Sequence, residues 1–259
     1  MKKKSLYRLA FFALASMFLA SCGPDYVENA GCDLNMKMIY VEGGSFEMGA
    51  TPEQGSEATR NEKPVHTVTL DSYYIAECEV TQAQWQKIMG NNPAHFKGAN
   101  NPVECVGWQK INEFCKKLSE KTGKTYILPT EAQWEYAARG GQKSKGYKYS
   151  GSSVIDEVAW TAANSNKSTH PVKQKMPNEL GLYDMSGNVF EFCSDWFNDD
   201  YYSVSPKHNP TGPSSSRFRI MRGGCWGILP GQSRVSCRWG ISPRYCDSFA
   251  GFRVICVID

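Results

Sequence analysis

The side chains of this sequence most able to do chemistry are ten cysteines, four histidines and a mixed run of aromatic, aliphatic and polar residues near the C-terminal end. Cysteine thiolates act as metal ligands, nucleophiles or disulfide halves, and spacing separates these uses. There is no Cys-x-x-Cys and no Cys/His cluster with zinc spacing, so a structural zinc is not expected. His66, His95, His170 and His208 share no repeated spacing, a poor basis for a metal or proton-transfer site. Ser233 lacks the sequence context of a nucleophile elbow. Between 225 and 250 stand Trp226, Ile228, Leu229, Ser233, Trp239, Ile241, Tyr245, Asp247 and Phe249, with neither helical nor strand period. Such mixed side chains on loops suit a binding surface. These nine are the candidate ligand contacts, with Trp226 and Trp239 suiting a core position equally well.

Few regular elements are available to position them. Met38 to Val41 reads as a short strand closed by Glu42-Gly43-Gly44, and Val65 to Leu70 alternates as a half-buried strand does. A helix is expected from the Thr81-Gln82-Ala83-Gln84 capping box to Gly90. A second carries Trp108, Ile111, Cys115 and Leu118 at helical spacing and stops near Gly123. A third starts from Thr130, with Gln133 three residues on, and breaks at Gly140-Gly141. Trp85, Trp108 and Trp134 fall on these helices at core positions. Residues 141–180 and 198–216 are rich in Ser, Asn, Lys, Gly and Pro and read as long loops. A loop-rich α+β domain without internal repeats is the expected fold class.

The N-terminus sets the compartment. Lys2-Lys3-Lys4 and Arg8 precede an apolar run from Leu9 to Ala20, the layout of a secretory leader. It ends in Leu19-Ala20-Ser21-Cys22, which resembles the lipobox of bacterial lipoproteins, so residues 1–21 are expected to be removed and Cys22 lipidated. Residues 22–36 read as a tether and 37–259 as the domain, held in the cell envelope on a periplasmic or outer face. The leader takes four basic residues with it, turning the formal charge from +3 to −1. A near-neutral chain offers no electrostatic basis for binding nucleic acid. Nine cysteines remain after Cys22, an odd number, in a compartment where disulfides persist.

Five ordered blocks point to one family: Met38-Ile39-Tyr40-Val41-Glu42-Gly43-Gly44; Glu79-Val80-Thr81-Gln82-Ala83-Gln84-Trp85; Leu128-Pro129-Thr130-Glu131-Ala132-Gln133-Trp134-Glu135-Tyr136; Gly181-Leu182-Tyr183-Asp184-Met185-Ser186-Gly187-Asn188-Val189-Phe190-Glu191; and Arg222-Gly223-Gly224-Cys225-Trp226 answered by Gly251-Phe252-Arg253. In order and spacing, from about 36 to 257, they resemble the formylglycine-generating enzymes, or sulfatase-modifying factors. The resemblance implies a mixed fold related to C-type lectins, usually with calcium. Asp184, the carbonyls of Gly187 and Val189, and Glu191 match the family's calcium-binding positions, and two carboxylates with turn carbonyls are ligands calcium accepts. Cys115 and Cys256 lie near positions bridged in some relatives, which implies a disulfide between them.

The family's enzymes oxidise a sulfatase cysteine to formylglycine through two copper-binding cysteines, five residues apart, after the Gly-Gly turn. Counted from Gly223-Gly224, those places hold Ile228 and Ser233. Neither supplies the soft thiolate that Cu(I) requires. Cys225 and Cys237 are near, but twelve residues apart. The expected protein is therefore noncatalytic, without copper, binding a protein or glycan ligand through its C-terminal segment. Relatives of this fold also serve as variable proteins of diversity-generating retroelements, whose adenine-directed mutagenesis yields the residue types seen at 227–229, 233, 240–242 and 245–249. The alternatives are a formylglycine-generating oxidase and a structural component of an envelope secretion or gliding complex.

Overall fold

A computed structural model describes residues 23–258. The leader and the lipidation position Cys22 lie outside the described residues. Chain order runs β1 (Tyr26–Glu28), β2 (Met36–Val41), β3 (Gly44–Met48), β4 (His66–Leu70), β5 (Tyr73–Ala76), α1 (Gln82–Met89), α2 (Trp108–Thr122), β6 (Tyr126–Ile127), α3 (Glu131–Ala138), α4 (Ile155–Val158), β7 (Phe190–Trp196), β8 (Arg219–Arg222), β9 (Arg238–Ile241), β10 (Ala250–Gly251) and β11 (Ile255–Cys256). One antiparallel sheet has the order β1-β2-β5-β11-β6. A second has the order β10-β7-β8-β9, with β10 parallel to β7, and β3 pairs with β4 alone. This is the expected α+β class.

Local chemistry sets the helix ends. Thr81 and Thr130 each accept the N–H three residues on, at 3.2 Å, while the Gln84 and Gln133 side chains return the bond. Gly90 and Gly123 close α1 and α2 in the left-handed region that glycine adopts without strain. Trp85 and Trp134 are buried as expected, whereas Trp108 is half-buried, with Arg219 stacked on its ring at 3.8 Å.

The expected tether at 22–36 needs correction, because Tyr26–Glu28 pairs with Met36–Met38. The Glu28 carboxylate takes bonds from Tyr126 Oη and Lys124 Nζ, both at 2.8 Å, and Leu34 is buried in the core. Three residues are too few to display a period, so the strand was not legible. The expected Cys115–Cys256 bridge is likewise absent: both thiols are free, although both are buried in one core cluster. Each is surrounded there by apolar side chains and fills space as a small hydrophobe.

Four buried arginines tie the C-terminal segment to the rest. Arg222 pairs with Glu135, Arg234 with Glu62 (2.7 and 2.8 Å), Arg238 with Glu131 (2.8 and 2.6 Å) and Arg253 with Glu191 (2.7 and 2.6 Å). Three of these are two-bond forks, the geometry in which a guanidinium repays its desolvation best.

Asp195, a buried residue of β7, accepts the N–H of Glu131 at the start of α3, at 2.9 Å. Burial, followed by the Glu131 charge, lifts its carboxyl from 3.8 to about 7. A carboxyl raised in the fold binds more protons there than in the unfolded chain between those two values. Its contribution is whole below about 4 and is lost as pH climbs through about 7. Stability is therefore expected to fall by on the order of a few kcal/mol over that window. Thermal melts from pH 4 to 8 check this, and Asp195→Asn should flatten the decline.

Candidate functional site

The turn between Asp184 and Phe190 is the hub. Asp184, Gly187 and Asn188 all have positive φ, and a Cβ on Gly187 would meet the Trp160 carbonyl oxygen at 2.4 Å, so glycine is required there. Asn188 Nδ2 donates to Glu79 Oε2 at 2.7 Å, the Val189 N–H donates to Glu79 Oε1 at 3.0 Å, and the Asn188 carbonyl accepts the Trp226 N–H at 2.7 Å. One buried turn thus fixes the entry of the C-terminal segment.

The two carboxylates expected to bind calcium, Asp184 and Glu191, are both buried here, and neither is wholly free. Glu191 gives both oxygens to Arg253 and also accepts Trp134 Nε1 at 2.8 Å. Asp184 Oδ2 accepts the Lys173 N–H at 2.8 Å, and buried Oδ1 has no partner. Burial raises Asp184 to about 6, and burial with the charges of Asp184 and Glu191 holds Glu79 well above the carboxylate range. Among the described residues no three acidic, cysteine or histidine side chains are grouped to hold a metal. Arg253 thus already supplies positive charge at Glu191, while Asp184 Oδ1 stays unpartnered, so only part of the expected calcium ligand set is free as the residues stand. Chelation with EGTA is expected to leave the melting temperature unchanged. A fall of several degrees would mean that an ion draws Glu191 away from Arg253.

Ile228 and Ser233 meet at Gly224. A Cβ added to Gly224 would lie 2.3 Å from Ser233 Oγ and 3.0 Å from Ile228 Cδ1. Ser233 is fully buried, its hydroxyl has no partner, and its carbonyl accepts Ser186 Oγ at 2.9 Å. Ser233 therefore leaves the list of candidate surface contacts: its place in the loop gave no sign of burial. Cys225 and Cys237 are buried, and burial pushes the Cys225 thiol up to about 12 and the Cys237 thiol upward. Burial keeps both as thiols at neutral pH, and they stand twelve residues apart rather than five.

The remaining contacts divide into two groups. Trp226 stacks on Phe249 at 4.5 Å and meets the edge of Phe96 at 5.2 Å, while Ile228, Ile241, Tyr245 and Phe249 are half-buried against the core. A Cβ on Gly227 would fall 2.3 Å from the Phe249 ring. Facing outward are Asp247, Leu229 (68 % exposed) and Trp239 (36 % exposed). Leu229 and Trp239 line a cleft of about 480 Å³ with Glu57, Asn61, Gln232 and Arg234. Arg234 is already committed to Glu62, so the cleft presents apolar and amide groups more than free charge. The arginine pairs lie beyond the reach of any local sequence signal. Glu62 stands 172 residues from Arg234, and the arginines at 222, 234, 238 and 253 share no spacing that points to their partners.

Residues 25–258 match the sulfatase-modifying factor enzyme 1-like domain. A chaperone protein, LppX, of Paenibacillus barcinonensis is 35% identical over 239 residues, covering 73% of this chain and 78% of that protein. The formylglycine-generating enzyme of Streptomyces coelicolor is 29% identical over 282 residues, covering 83% and 87%. Among solved structures, Treponema denticola variable protein 1 superposes with a TM-score of 0.80 at 33% identity, covering 90% of this chain and 98% of that one.

Proposed function

Because this chain belongs to the sulfatase-modifying factor enzyme 1-like family, we propose that it is a noncatalytic member that binds a protein or glycan ligand through its C-terminal segment, anchored to an envelope membrane by lipid on Cys22. One observation supports this reading: counted from Gly223-Gly224, the places that correspond to the family oxidases' copper cysteines hold Ile228 and Ser233, both close to Gly224. A branched alkyl group and a buried hydroxyl cannot replace two soft thiolates. The neighbouring cleft keeps Leu229 and Trp239 exposed, the apolar and aromatic contacts from which binding surfaces are built.

The test is to incubate the purified mature protein with Cu(I), oxygen and a sulfatase-motif peptide. No aldehyde is expected on the peptide, and its stoichiometric formation would overturn the noncatalytic reading. Anchoring is tested by Cys22→Ser, which should move the protein from the membrane pellet to the soluble fraction. A relative named as a chaperone and a neighbour named as a variable protein both suit a binding role. For a diversified surface, the gene should lie near a reverse transcriptase gene and an imperfect copy of its 3′ end differing only at adenines. Absence of both would remove diversification and leave a fixed binding surface.

A further inference from the structure

Two cysteines to which the site described so far gives no role lie against each other across the fold. Cys246 is exposed in the loop after β9, and its Sγ donates to the Cys105 carbonyl oxygen at 2.7 Å. Cys105 belongs to the α1–α2 connection, two residues before Gly107, the N-cap of α2. Its own N–H donates to the Asp247 carbonyl oxygen at 3.1 Å. The same stretch touches the loop again at Gly107, where an added Cβ would lie 3.4 Å from the Tyr245 carbonyl oxygen and 3.6 Å from that of Pro243. Residues 105–107 and 243–247 therefore run side by side, with one thiol on each. Bridged cysteines have Cα atoms roughly 4.4–6.8 Å apart, and segments joined by main-chain hydrogen bonds come within that reach. Cys105 adopts φ +58, a left-handed conformation uncommon outside glycine, so the connection bends where it meets the loop.

We infer that Cys105 and Cys246 are a disulfide site that fastens the 242–249 loop to the scaffold, made by exchange with a disulfide-bearing oxidant such as oxidised glutathione. The exposed Cys246 thiolate attacks one sulfur of the oxidant and releases the other as a thiolate. Cys105, as its thiolate, then displaces the second oxidant sulfur from Cys246. One S–S bond is formed and one broken. Two cysteine thiols are oxidised, the oxidant is reduced to two thiols, and the two cysteine protons end on those thiols. Burial, Glu104 and Asp247 hold both thiols above the usual range, with Cys105 pushed up to about 12, so the exchange quickens as pH rises. The bridge would hold Tyr245, Asp247 and Phe249 in place whether or not they bind a ligand. It would close a span of 141 residues, long enough for a cross-link to restrict the unfolded chain strongly.

The experiment uses the full mature chain, incubated with oxidised glutathione, alkylated and mapped by mass spectrometry without reduction. The expected product is a peptide pair joined through Cys105 and Cys246 and lighter by two hydrogens. Native trypsin cleavage after Arg244 should slow about tenfold once the loop is fastened. Cys246→Ser, an exposed change that keeps the melting temperature of the reduced wild type, should abolish both effects. Recovery of Cys246 only as an alkylated thiol, as a stable glutathione adduct or joined to another cysteine would overturn the assignment.

Discussion

Replacing Ile228 and Ser233 together by cysteine is expected to give a chain that binds one Cu(I) per molecule, where the native chain takes up none tightly. The two positions already meet at Gly224, whose missing Cβ leaves room for Ser233 Oγ and Ile228 Cδ1 to approach. Both changes suit the space: Ser233→Cys swaps oxygen for sulfur at a hydroxyl that has no partner to lose, and Ile228→Cys shortens a half-buried side chain. Cu(I) prefers paired thiolates over the backbone and hydroxyl groups otherwise available, so affinity should rise by orders of magnitude. Competition with a chromophoric Cu(I) chelator reads this directly. Each single variant should stay near the native value, because one thiolate lacks its partner. Tight uptake by the native chain, or none by the double variant, would show that the expected alignment after Gly224 is wrong.

The second large effect concerns Arg253. Arg253→Met should destabilise the fold by roughly 3–5 kcal/mol, since removing one partner leaves an uncompensated buried charge. The charge here is more than one carboxylate. Glu191, Glu79 and Asp184 are all buried around the guanidinium, which also donates to the carbonyls of Ala76 and Tyr183. Without it the native state must take up protons at this cluster. The variant should therefore lose stability more steeply than the wild type as pH rises from about 5 to 8. Its melting temperature should drop by roughly 10 °C at neutral pH. Arg253→Lys should recover only part of this, because an ammonium keeps the charge without the fork. A loss below about 1 kcal/mol would mean that the cluster is neutralised in another way.

These two outcomes mark the boundary of what the sequence made legible. The three main helices could be placed from local signals, because Thr81 with Gln84, Thr130 with Gln133, and Gly90 and Gly123 act within one turn of their own positions. That Ile228 and Ser233 stand at paired positions was implied by the family resemblance, counted from the Gly-Gly turn, and not by a local signal. The Tyr26–Glu28 strand was hidden, since three residues carry no period and its partner strand supplies the evidence. The arginine pairs were hidden because each joins side chains 62 or more residues apart. The burial of Ser233 and the commitment of Glu191 to Arg253 belong to that same long-range class. Composition could suggest that 225–250 is a surface, but only the packing separates Leu229 and Trp239, which face out, from Ser233, which does not.

The contact between Gly227 and Phe249 reaches beyond this one chain. Any side chain at 227 would strike the ring at 249, and that ring is also the partner on which Trp226 stacks. The two positions are thus epistatic. Among homologous chains, a residue larger than glycine at 227 should co-occur with a small residue at 249, and this portion of the surface would evolve as a linked pair even if every other exposed position drifted freely.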